Sequence, residues 1–185
     1  MKKTLTRQVA YNLVAEKIGV NNLLKHILAV EAGMRGMAEH LGADVEHWGL
    51  IGLIHDLDYN ETKDDEARHS YLTREWLADY DLGDDVWHAI HAHPGHLPCK
   101  SQLDWALYSV DPTTGFIVAC ALMHPEKKLS VLDGDFMMRR FSEKRFAAGA
   151  TRENISACSN LGLELEEFLL MVAASMIGIS DKLGL

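Results

Sequence analysis

Apolar positions recur at helical spacing along most of the chain, and turn-forming residues separate the runs. The period predicts a helix over residues 5–18, with Leu5, Val9, Leu13 and Val14 on one face and Gly19 at its end. Asn21 or Asn22 can cap a second helix, along which Leu23, Ile27, Val30, Met34, Met37 and Leu41 recur before Gly42. Asp44 can cap a third, whose inner side carries Val45, Trp48, Ile51, Gly52 and His55. Gly49 and Gly52 each cost about 1 kcal/mol of helix propensity against alanine, which suggests a close helix crossing or a crowded site, with loose packing as the plain alternative. Residues 58–66 are polar and acidic and read as an exposed loop. Helical spacing returns at His69, Leu72 and Trp76, and again at Val86, Ile90 and His93, until Pro94 and Gly95 break it. Residues 101–123 repeat the pattern with Pro112 inside; either the helix kinks there, or Asp111 caps a new one with proline at its first position. Past Pro125 a basic stretch leads to Gly149 as a helix stop, Thr151 as a cap for residues 152–161, and a last helix over 163–183. The whole pattern is all-α.

Several polar residues interrupt the faces that this period buries. His55 and Asp56 close the apolar run IGLIHDLDY. Burying even one unpaired neutral polar group costs roughly 2–7 kcal/mol, so something must satisfy the pair. A divalent metal would, since imidazole and carboxylate are common ligands; so would a satisfied core pair without metal. His26 lies about 40° from Val30 on the helical wheel, within the buried stripe. His69 lines up with Leu72 and Trp76. His93 continues the row of Val86 and Ile90, whereas His88 and His91 align with Asp84 on the polar side. His96 falls in the turn beyond, within reach of the same pocket. Asp111 sits between Leu107 and Thr114. The candidate metal ligands are therefore His26, His55, Asp56, His69, His93 and Asp111, and His40 and His47 read as surface residues.

Composition narrows the chemistry. Ten histidines occur, none of them in Met1–Lys25 or Pro125–Leu185. The formal charge of −9, from 18 basic and 27 acidic residues, argues against holding long nucleic acid by its backbone. A small phosphorylated substrate is compatible, its charge met by metal. The three cysteines show no paired spacing, so neither a disulfide framework nor a thiolate zinc site is expected. The start MKKTLTRQVAYNL lacks the apolar core of a signal peptide, and the longest apolar run, near Phe168–Ile179, is short for a membrane span. No membrane association and a cytoplasmic location are expected. The apolar last helix admits a homodimer.

The order His, then His-Asp, then Asp, all on helices, resembles the HD-domain superfamily of metal-dependent phosphohydrolases. The segments HILAVEAGMRGMAEHLG, GLIHDLDY, ALYSVDPTTGFIVACAL and KRFAAGATREN extend the resemblance to stand-alone HD hydrolases of about this length, over nearly the whole chain. It implies a single HD-type helical domain over 1–185, with a metal-binding core at about 20–124 and a C-terminal helical extension at about 125–185. It also implies His26, His55, Asp56 and Asp111 as the primary metal ligands, with His69 and His93 matching the extra histidines of two-metal members. Pro94 stands where the cyclic-dinucleotide phosphodiesterases have a second histidine, and HDLDY where they have His-Asp-Ile-Gly-Lys, which argues against that activity. The implied reaction is hydrolysis of a small phosphate ester or nucleotide by metal-activated water. One or two divalent ions (Fe, Mn, Zn, Ni or Co) would serve, with Asp56 shared between two. Asp58 is a candidate for shuttling a proton or orienting the water, and a helix-end polar residue is its plain alternative. Lys144, Arg152 and His96 are candidates to meet substrate, against a solvated basic face. A di-iron oxygenase of the same fold, or a regulatory domain that keeps the metal without turnover, are the other readings.

Overall fold

The computed structural model describes residues 2–185. Helix α1 (Arg7–Ile18) starts at Thr6, whose hydroxyl accepts from the Val9 amide, and ends at Gly19 with φ 77°. Its buried side is Ala10, Val14 and Ile18, so Val9 faces outward, against the face expected. Leu5 is buried but precedes the helix, and counting it into the period shifted the phase.

Helix α2 (Asn22–Leu41) is capped by the Asn21 side chain and closed by Gly42 in the left-handed conformation. Helix α3 (Val45–Ile54) is capped by Asp44. The two pack closely. A Cβ at Gly52 would sit 3.0 Å from the Glu31 Cα and from the Val30 carbonyl oxygen, so only glycine lets the backbones approach this far. Glu31, buried on α2, accepts from Arg7 and Arg35, which ties α1 to the pair.

The stretch expected to be a loop instead forms α4 (Tyr59–Thr62) and a 3-10 turn at Glu66–Arg68, followed by α5 (Tyr71–Trp76). Helix α6 (Asp84–Ala92) leads through Pro94 and Gly95 to α7 (Gln102–Met123), which opens on a capping box of Ser101 and Asp104. Helix α7 runs through Pro112 without a break, so Asp111 is a mid-helix residue and caps nothing. By length and composition α7 is apolar enough to cross a membrane, and 56% of that window is buried inside the fold.

Helix α8 (Gly134–Ser142) occupies part of the basic stretch, where no element was expected. Helix α9 (Arg152–Ser156) continues as a 3-10 turn to Leu161; Thr151 precedes it without a side-chain cap bond, and Gly149 lies in a turn, not at a helix end. The last expected helix divides into α10 (Leu165–Ile177) and α11 (Ser180–Leu183). Helices α2 and α7 run through the middle, and α3, α6, α9 and α10 pack around them over one apolar core. Among the described residues the sole strand-like pairing is an isolated bridge between Lys3 and Tyr80.

Candidate metal centre

Asp56, one residue past the C-cap of α3, lies where four segments meet. Its Oδ2 is 3.5 Å from His55 Nε2 and 3.8 Å from His26 Nε2. Asp111, on α7, completes that side, its Oδ1 3.0 Å from His26 Nε2 and 3.8 Å from His55 Nε2. The other oxygen of Asp56, Oδ1, is 3.2 Å from His69 Nε2 and 3.4 Å from His93 Nε2. Six side chains thus form two groups that share one carboxylate.

Each imidazole is fixed by its Nδ1, which leaves Nε2 to face the centre. His55 Nδ1 donates to the Gly52 carbonyl at 2.8 Å, and His93 Nδ1 to the Ile90 carbonyl at 2.7 Å. His26 Nδ1 donates to Thr114 Oγ1 at 3.2 Å, because the threonine's own proton goes to the Asp111 carbonyl. His69 Nδ1 donates to Asp58 Oδ1 at 2.8 Å. A partner on Nδ1 sets the tautomer that leaves Nε2 as the ligating lone pair.

The arrangement lacks something on its inner side. His55 is fully buried, yet its Nε2 makes no hydrogen bond among the described residues. His69 and His93 turn their Nε2 atoms toward each other at 3.2 Å, where two lone pairs repel unless a proton or a cation lies between them. Ligand atoms of His26, His55 and Asp111, and of His55, Asp56 and His93, fall within 4.8 Å of one another, compact enough to hold an ion. A nitrogen and oxygen set without sulfur suits a first-row divalent metal. The residues fit the metal.

Electrostatics agree with that reading. Burial pushes the His55 imidazole below its ordinary pKa, so it is neutral. Burial works against the ionised form of Asp56, but His55, His69 and His93 outweigh it and hold the carboxylate well below its usual range. Asp111 is likewise held down by His26 against burial, and His26, against its own desolvation, is raised by Asp111 and Asp56. His69 is also desolvated, yet its bonds to Asp56 and Asp58 bring it up to about 10.

The other candidates fall elsewhere. Asp58 is fully buried, and its oxygens accept from His69 Nδ1 and, at 3.0 Å, from the Thr73 amide. It holds His69 in place through the first of these bonds, where the sequence offered it for shuttling a proton or orienting the water. Arg152 meets no open site: its guanidinium donates to the carbonyls of Phe141, Phe146, Ala147 and Ala150 and knots the loop before α9. Lys144 is exposed on that loop. His96 bonds the His69 carbonyl at 3.1 Å and lies beside the Tyr71 ring. The polar side expected for His91 is overturned. His91 is buried, hydrogen-bonded to Ser70 and stacked on Tyr71 and Trp87; burial, then Arg74, pushes it down to about 4. His88 pairs with buried Asp104 at 2.9 Å. The segment carrying His69 to Trp76 covers the flank of α6 that a single-helix wheel leaves to solvent. Sequence reasoning passed over Thr114, which fixes His26, because it was counted among the apolar positions.

Comparison with known proteins places the chain in a family. Residues 23–128, more than half of it, match the HD domain, and the chain belongs to that family. It is also similar to proteins named Ribonuclease Y: 33% identical over 94 residues to that of Desulfotalea psychrophila, and 32% and 31% to those of Nitratidesulfovibrio vulgaris and Oleidesulfovibrio alaskensis. The match covers 51% of this chain and 18% of each of those relatives, so the chain spans only a small part of their length.

Proposed function

We propose that the protein is a metal-dependent phosphohydrolase that cleaves a small phosphate ester, and that His26, His55, Asp56, Asp111, His69 and His93 would hold two divalent ions. The observation that carries the reading is the division of labour at the Asp56 carboxylate, with Oδ2 toward His26 and His55, which Asp111 also faces, and Oδ1 toward His69 and His93. Ionised Asp56 and Asp111 and the Nε2 lone pairs would hold the ions. When bound, such ions supply Lewis acidity toward a phosphoryl oxygen and lower the pKa of water from 15.7 to about 7. The protein side of the reaction is orientation. Gly52, Ile90, Thr114 and Asp58 fix the four imidazole planes, and the exposed side of His26 and Asp111 is where substrate would arrive. The relatives' name, ribonuclease, denotes phosphodiester cleavage and supports phosphoester chemistry. The acidic balance of this chain favours a small substrate over long RNA.

The test is to strip the protein, reload it with Mn, Fe, Zn, Ni or Co, and assay a panel of phosphomonoesters and diesters. Metal-dependent phosphate release is expected from the wild type, falling to background in Asp56→Ala. Oxygen consumption without phosphate release would assign the centre to oxygenase chemistry instead, and inactivity with every metal would leave a binding role.

A further inference from the structure

A cavity of about 480 Å³ opens on the exposed side of His26 and Asp111, bounded by the Pro112 turn of α7 and by the loop leading into α9. Two glycines form its walls, and neither is needed for folding there. Gly115 lies inside α7, where glycine is a poor helix residue. A Cβ built on it meets nothing within 4 Å, and its φ is not left-handed. Gly149, on the facing loop, is likewise uncrowded and without a left-handed φ. Most other glycines of the chain have either a left-handed φ or a neighbour that a Cβ would crowd. The room at Gly115 and Gly149 is not filled by protein.

The opposite wall is held rigidly. Arg152 gathers the loop carbonyls, including that of Ala147, a non-glycine residue with φ 45°. Asn154 stands behind it. Its Oδ1 accepts from Tyr108 at 3.0 Å, which orients the amide and leaves the NH₂ group as the donor. The Thr151 hydroxyl makes no cap bond to α9. Both residues line the cavity, and among the described residues no Phe, Tyr or Trp does. An adjoining cavity of about 390 Å³, sharing His26 and Gly115, is also without one. Proteins hold nucleobases largely by stacking them on aromatic rings, and among the described residues the one ring at either cavity is the His26 imidazole, which is committed to the metal centre.

We propose that this cleft is the substrate groove of the metal centre, and that it takes the phosphate ester of a compact, hydroxylated, non-aromatic alcohol such as a polyol or sugar. Phosphate lies at the His26–Asp111 end. The alcohol passes between Gly115 and Gly149, and its hydroxyls meet Asn154 and Thr151. The inference rests on the phosphohydrolase reading above.

Binding separates the two. Metal-loaded protein is titrated calorimetrically with inorganic phosphate, a polyol phosphonate and a nucleoside phosphonate, the carbon–phosphorus bond preventing turnover. Metal content and melting temperature are followed in parallel. The polyol phosphonate is expected to bind about tenfold or more tighter than phosphate, and Asn154→Ala and Gly115→Leu to erase that advantage while phosphate still binds. Gly115→Ala is expected to melt at or above the wild-type temperature, because alanine is the better helix former and has room. Unchanged polyol phosphonate binding in Gly115→Leu, with metal content intact, overturns the groove. Tighter binding of the nucleoside phosphonate overturns the alcohol class. If metal-loaded wild type binds neither phosphonate nor phosphate, the phosphohydrolase reading fails, and this inference with it.

Discussion

Four imidazoles at the centre divide their nitrogens in the same way, Nδ1 to a fixed acceptor and Nε2 to the interior. For His69 the acceptor is the Asp58 carboxylate, and with Asp56 it brings the imidazole up to about 10 against its burial. In the metal-free protein this group is therefore charged at neutral pH. Its folded value lies above the ordinary 6.5, so its contribution to stability is fully present below 6.5 and is lost as pH rises toward about 10. Metal capture runs the other way, since an ion must displace that proton. Affinity is expected to rise with pH across this window, with proton release visible when calorimetry is repeated in buffers of different ionisation enthalpy. Binding without proton release would contradict it. Two neighbours at the C-terminal end of α6 separate ligation from packing. His93→Ala is expected to lower metal content, whereas His91→Ala leaves it intact and lowers the melting temperature, because His91 bonds Ser70 and stacks on two rings. Metal loss from His91→Ala but not His93→Ala would reverse the assignment.

At the scale of elements, α7 carries the conflict between local preference and site. Proline inside a helix removes one backbone bond and costs about 3 kcal/mol where nothing compensates. Here it directly follows Asp111, and the helix continues to Met123. The side chains of Ser109, Thr113 and Thr114 bond back to carbonyls within the same helix. Pro112→Ala is expected to stabilise the fold by about 1–3 kcal/mol, seen as a melting temperature several degrees higher, and to weaken metal binding by re-aiming the Asp111 carboxylate. A variant with lower stability and unchanged metal affinity would show that the ring packs rather than aims. The caps at Asn21, Gly42 and Asp44 were legible because each rests on short-range chemistry. His69 was found for the wrong reason: it precedes α5 in an extended conformation and reaches Asp56 from a turn, not from a helix face.

Over the whole molecule, the all-α architecture and the inward placement of His26, His55 and Asp111 could be read from periodicity, because α2, α3 and α7 pack on a shared core. Less could be read wherever burial comes from a neighbouring segment. The flank of α6 that holds His91 is covered by residues far away in the path of the chain, and no single-helix period reports that. The basic residues after Pro125 suggested substrate contacts, but a charge pattern does not say where a guanidinium points; Arg152 turns inward to backbone carbonyls and stacks over Phe116 and Phe141. The cleft at Gly115 and Gly149 was invisible for a related reason: open space has no sequence signature. What joins these parts is Asp56, whose two carboxylate oxygens face the two ligand groups.

The most direct test is metal stoichiometry by elemental analysis of wild type, His69→Ala and Asp56→Ala. Two ions per chain are expected in the wild type, one in His69→Ala, and none tightly held in Asp56→Ala. Full stoichiometry retained in Asp56→Ala would contradict the shared-carboxylate centre.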